Sequence, residues 1–126
     1  MSIRSVLITT PALAALFVLP ALAGGGDPVN GEKLYAVKCG ACHSIEPGNN
    51  KHGPNLFGII DRRSGSVEGY KYSKALKAAS LTWTISKINE FMDEPQDIVK
   101  GVKMPDVEFN GARERTDIIA YLRTVK

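Results

Sequence analysis

Two cysteines and a histidine constrain this chain more than anything else in it. Its only cysteines stand in Cys39-Gly40-Ala41-Cys42-His43, the spacing at which two thiols add to the two vinyl groups of one haem. With both thioethers formed, His43 is held beneath the iron. A neutral imidazole is a preferred iron ligand, and its second nitrogen then needs an acceptor behind it. Two other uses of the motif fit less well. A redox dithiol belongs to a strand-to-helix context, whereas residues 34–37 carry helical spacing and no βαβ pattern is present. A zinc site wants four ligands, and beyond this motif the chain offers no cysteine and one histidine, His52. One haem c, covalently bound through Cys39 and Cys42, is therefore expected.

The distribution of apolar residues agrees with a bound group. Of the 126 residues 44% are apolar, but sixteen of these crowd into residues 1–23. The remainder is thin for a body that must build its own core, so something besides side chains is expected to fill the interior. All twelve glycines and five of the seven prolines fall from Gly24 onward, which implies plentiful loops and argues against an ideal bundle.

The first segment reads as an address label. Arg4 and the amino terminus supply positive charge, residues 6–19 are apolar but for Thr9, Thr10 and Pro11, and Ala21-Leu22-Ala23 places small residues two apart. We expect a cleavable signal peptide over residues 1–23, cut after Ala23, and a single domain over residues 24–126. An uncleaved anchor would be barely long enough and would carry two prolines. Export points to the periplasm of a bacterium. The net charge of +3, one unit of it from Arg4, is too weak for a nucleic-acid binder.

Helices are expected at four places. Asp27 followed by Pro28 is an N-cap with proline at the first helical position, opening a helix with Leu34 and Tyr35 that delivers the chain to Cys39. Ser73 caps a short helix. Thr84 caps another, whose apolar residues are Ile85, Ile88, Phe91 and Met92, and Pro95 stops it. In the last stretch Ile118, Ile119, Tyr121, Leu122 and Val125 form one apolar face, with Arg113, Glu114 and Arg115 solvated.

In the order Cys39 to His43, Gly53-Pro54-Asn55-Leu56, Tyr70-Lys71-Tyr72, Trp83, Pro95, Gly101-Val102-Lys103-Met104 and Asp117-Ile118-Ile119-Ala120-Tyr121-Leu122, the chain resembles the class I c-type cytochromes. The likeness is to mitochondrial cytochrome c and its bacterial periplasmic relatives, and it covers nearly all of residues 26–126. It implies an all-α fold of helices and loops around one haem, with the last helix crossing the first at Gly31, packed by Tyr35, Ile118 and Tyr121. It implies His43 as proximal and Met104 as distal metal ligand. The residues agree, because Met92 lies at core spacing in a helix whereas Met104 lies in a Gly/Pro-flanked segment. By the same resemblance the Pro54 carbonyl accepts the free N–H of His43, and Arg62, Tyr72 and Trp83 engage the haem propionates, carboxylates that need donors if buried. His52 is expected at the surface.

The function this implies is that of a soluble one-electron carrier cycling haem Fe(III)/Fe(II) between periplasmic or membrane-bound redox proteins. The protein is expected to be a monomer, unanchored after cleavage, and not an enzyme. A thioether favours ferrous iron, and two filled axial positions leave small molecules no vacancy. A haem peroxidase, or a sensor of NO or CO with a labile distal Met, is the alternative.

Departures from the family pattern are informative. Leu76, Phe91 and Val102 stand where mitochondrial relatives carry Asn, Tyr and Thr around a buried water, which predicts a more apolar pocket beside Met104. Lys33, Lys38, Lys51, Lys100 and Lys103 fall in or near a ring of lysines used for docking. Gln96, Asp97, Asn110 and Gly111 replace other members of that ring, and Asp106 and Glu108 follow Met104. A docking edge of mixed sign is expected.

Overall fold

The chain enters its first helix at Asp27, whose carboxylate accepts from the backbone N–H groups of Val29 (2.9 Å) and Asn30 (3.3 Å). Pro28 takes the first helical position, where its missing N–H costs nothing. The computed structural model describes residues 25–126; the expected signal peptide lies outside them. Helix α1 spans Pro28–Lys38. Ser73 Oγ accepts from the Leu76 N–H (3.1 Å) and starts α2, Lys74–Ala79. Thr84 Oγ1 accepts from the Lys87 N–H (3.2 Å) and starts α3, Ile85–Asp93.

Pro95 ends α3 as expected but also begins a further short helix, α4, Pro95–Ile98. This helix was not anticipated from the sequence, although proline is as suited to a first helical position as it is unsuited to an interior one. Helix α5, Ala112–Leu122, follows Gly111 at φ +93°. Loops make up most of the rest, with a single antiparallel bridge between Arg63 and Thr82 and no strand among the described residues. The fold is all-α, as the sequence implied.

Helix α5 lies across α1. Gly31 is buried at the crossing, where an added methyl would overlap the Asp117 carbonyl and press on Tyr121. Tyr35 stacks at a tilt on Tyr121 with ring centroids 5.6 Å apart. Apolar packing is joined here by a buried carboxylate that was not anticipated. Asp117 accepts from the Asp27 N–H (2.8 Å), from Asn30 Nδ2 (2.8 Å) and from Arg113 Nε (3.0 Å).

Three expectations for the helix faces need correction. Arg115 is buried rather than solvated, because α5 packs on α3 as well as on α1. Its guanidinium reaches Asp93 Oδ1 (2.7 Å) and Asn89 Oδ1 (3.1 Å) at that second contact. Ile85, as the first residue of α3, is 43% exposed and stands outside the core. Val125 falls beyond the end of α5. Ile88, Phe91 and Met92 join Trp83, Val102, Ile118 and Leu122 in one core cluster.

Candidate functional site

The segment after α1 is wound tightly. The N–H groups of Cys39 and Gly40 both donate to the Tyr35 carbonyl at 2.8 Å, and those of Cys42 (3.0 Å) and His43 (2.9 Å) donate to the Cys39 carbonyl. Tyr35 Oη donates to the His43 carbonyl at 2.7 Å. Winding the five residues this way puts both cysteines and the histidine on one cavity of about 340 Å³. Burial pushes the Cys39 thiol up to about 11. That is the opposite of what a redox or metal-binding thiolate requires.

His43 is fixed from behind. Its Nδ1 lies 2.7 Å from the Pro54 carbonyl, an acceptor only, so Nδ1 carries the proton and Nε2 keeps its lone pair. Burial is the largest influence on the ring and lowers its pKa, holding it neutral. Gly53 and Pro54 form a strap across the imidazole, anchored by the Gly53 N–H on the Cys42 carbonyl (2.7 Å). A methyl on Gly53 would overlap the His43 ring. The strap is shaped by Asn50, whose Oδ1 accepts from both the backbone and the side-chain nitrogen of Asn55 at 2.9 Å. Sequence reasoning missed Asn50, since a loop asparagine carries no signal until its partners are known.

Other parts of the chain close the cavity. Met104 is half-buried and lines it. Leu76, Phe91 and Val102 line it too, so the positions read as apolar departures do face one apolar space. Trp83 meets Phe91 edge-on, with centroids 4.8 Å apart. Tyr72 Oη accepts from the Val67 N–H at 3.0 Å, and burial raises its pKa, which keeps the hydroxyl proton available to donate. Arg62 donates to the carbonyls of Phe57 (2.8 Å) and Asn55 (3.0 Å). Its Nε is buried with no hydrogen-bond partner among the described residues.

All the residues singled out from the sequence, Cys39, Cys42, His43, Pro54, Arg62, Tyr72, Trp83 and Met104, thus line the same cavity. His52 lines it as well, while remaining exposed as expected. Lys38 differs from the expectation of an exposed docking cation. It is half-buried, paired with Glu114 (3.2 Å), bonded to the Glu108 carbonyl (2.6 Å) and 5.4 Å from the Phe109 ring centroid. These contacts tie the segment after Met104 to both α1 and α5.

The donor set fits a haem. Two thiols suit two vinyl groups, a neutral imidazole and a thioether suit iron, and an apolar wall suits the macrocycle. The unpartnered Arg62 nitrogen suits a carboxylate, because a buried donor without an acceptor costs free energy that an anion would return.

Comparison with known proteins agrees. The family model described as cytochrome c matches residues 28–126. The chain is 42% identical over 101 residues to cytochrome c of Euglena viridis, covering 80% of this chain and 99% of that protein. It is also 42% identical over 101 residues to cytochrome c2 of Rhodopila globiformis, covering 80% and 95%. Cytochrome c of Chlamydomonas reinhardtii is 42% identical over 102 residues, covering 80% and 91%.

Proposed function

This chain belongs to the cytochrome c family, and from that premise we propose that His43 and Met104 would ligate the iron of the haem c that Cys39 and Cys42 hold. Bound there, the haem supplies a one-electron Fe(III)/Fe(II) couple, and the protein is an electron carrier. The observation that carries the ligand assignment is the His43 Nδ1 contact with the Pro54 carbonyl at 2.7 Å. It leaves Nε2 unprotonated in a cavity that Met104 also lines. Arg62, Tyr72 and Trp83 would offer a charged nitrogen, a hydroxyl and an indole N–H to the propionates.

A carrier needs little reorganisation when its charge changes. The strap of Gly53 and Pro54, the wound segment from Cys39 to His43 and the apolar lining all hold the site rigid and limit water at it. His43 and Met104 would hold the iron from the protein's own side chains and leave no position for a substrate, and we read the chain as a carrier without catalytic residues rather than a peroxidase or a ligand sensor.

The leader over residues 1–23 is read as a signal peptide cleaved after Ala23, leaving a soluble periplasmic monomer of residues 24–126 that meets membrane-bound or periplasmic redox partners. What supports this is the sequence of that segment, a basic start, an apolar run and Ala21-Leu22-Ala23 at its end. Carbon monoxide added to the ferrous holoprotein tests the reading. No spectral change is expected, and rapid saturation would instead identify an open or labile distal position.

A further inference from the structure

One side chain holds the turn that leads into Met104. Gln96, in α4, accepts at Oε1 from the Gly101 N–H (3.0 Å) and donates from Nε2 to the Val102 carbonyl (2.8 Å). The two bonds fix each other's sense, since an N–H requires the oxygen and a carbonyl requires the amide nitrogen; a flipped carboxamide would satisfy neither. Within the turn the Val102 N–H donates to the Val99 carbonyl at 3.0 Å, and Gly101 sits at φ +89°, a region glycine enters without steric cost. The backbone is therefore pinned on both sides of the peptide joining Gly101 to Val102, two residues before Met104.

The far side of Met104 has its own anchor in Lys38, Glu114 and the Glu108 carbonyl. Gln96 supplies the anchor on the near side. Its side chain is at the surface, so the backbone groups it holds would bond to water if it were removed. The consequence would be a freer turn rather than an unfolded protein, because segments of low local stability open without global unfolding.

We propose that Gln96 is a positioning residue for Met104: its carboxamide clamps the turn of residues 99–102 and keeps the thioether in place against competing ligands. This rests on Met104 being the distal ligand, as proposed above. Sequence comparison alone would set Gln96 down as a lost surface charge, whereas its geometry gives it work inside the site.

The test is imidazole binding to the ferric holoprotein, followed by the Soret shift and by loss of the near-infrared charge-transfer band of Met–haem ligation. Wild type, Gln96→Ala, Gln96→Glu and Met104→Ala are compared, with denaturant unfolding measured alongside. Two neutral hydrogen bonds shift an opening equilibrium by roughly ten-fold, so Gln96→Ala is expected to bind imidazole roughly ten-fold more tightly than wild type. Gln96→Glu keeps the acceptor for Gly101 but sets a second acceptor against the Val102 carbonyl, and it too is expected to bind more tightly. Being close in shape, it carries the test should the alanine variant fail to assemble with haem. Wild-type imidazole affinity in these variants, with only the unfolding midpoint lowered, would overturn the clamp. Retention of the charge-transfer band in Met104→Ala would instead overturn the ligand assignment, so the two failures are distinguishable.

Discussion

Gly31 and Asp117 meet backbone to backbone: a methyl group on Gly31 would overlap the Asp117 carbonyl. Alanine in a helix gains about 1 kcal/mol over glycine from propensity, but overpacking costs about 1–3 kcal/mol and backbone atoms cannot rotate aside as a side-chain tip can. The clash should win. Gly31→Ala holoprotein is expected to be less stable by up to about 2 kcal/mol in denaturant unfolding, and stability equal to or above wild type would contradict the close crossing of α1 and α5.

Asp117 should make the same crossing sensitive to acid. Its hydrogen bond from Asn30, then those from Asp27 and Arg113, hold its carboxyl below the usual range. A depressed folded-state pKa means that the unfolded chain binds the proton more readily, so this contribution is present above the unfolded value and is lost as pH falls through the folded one. Asp117→Asn leaves one of three donors facing an amide nitrogen and should cost about 1–3 kcal/mol at neutral pH. The gap between wild type and variant should narrow below about pH 4; a constant gap in a pH series of unfolding curves would show that the carboxylate charge plays no part.

Gly53 leaves room for the imidazole. In Gly53→Ala the methyl would overlap the His43 ring, and either the ring turns or the Pro54 strap lifts, stretching the Nδ1 contact. Weaker histidine ligation is expected, visible as a high-spin component in the ferric spectrum, together with a loss of about 1–3 kcal/mol in stability. A wholly low-spin spectrum at wild-type stability would show that the strap does not orient His43.

The apolar lining beside Met104 has a spectroscopic consequence. Leu76, Phe91 and Val102 offer no hydroxyl or amide to the thioether or to a water, and a buried water needs two to four polar partners. The oxidised protein should therefore resist replacement of Met104 at alkaline pH. Phe91→Tyr restores a hydroxyl, and its alkaline transition, followed through the near-infrared band, is expected at lower pH than in wild type. A midpoint that stays or rises would count against this account.

Docking should depend only weakly on salt. Lys33, Lys51, Lys100 and Lys103 are exposed, but so are Asp97, Asp106 and Glu108, and Lys38 is committed to Glu114. Surface charges are screened over about 8 Å at physiological ionic strength, and a mixed edge has little net field to lose. Electron-transfer rates to an acidic partner oxidase should change only a few-fold, roughly, between low and high ionic strength. A steep fall would show that the lysines act together as a positive surface.

Sequence alone was enough for the parts of this protein that rest on neighbours in the chain. The attachment motif works through five consecutive residues, and the caps Asp27, Ser73 and Thr84 work through backbone groups two or three positions away, so their chemistry is legible wherever the chain is read. The residues of the site could be named too, because the resemblance carries them by motif. What the tertiary structure decided is who meets whom across distance. Arg115 reads as a solvated helix charge until α3 is laid against it, Lys38 reads as a free cation until Glu114 arrives from the far end of the chain, and Asp117 and Asn50 show nothing at all until Asn30 and Asn55 stand beside them. The same holds for Gln96, whose two partners follow it by five and six residues but meet it only because α4 and a left-handed Gly101 fold the chain back. A polar side chain's role is set by the partner that replaces its water, and periodicity and spacing do not record which partner that is.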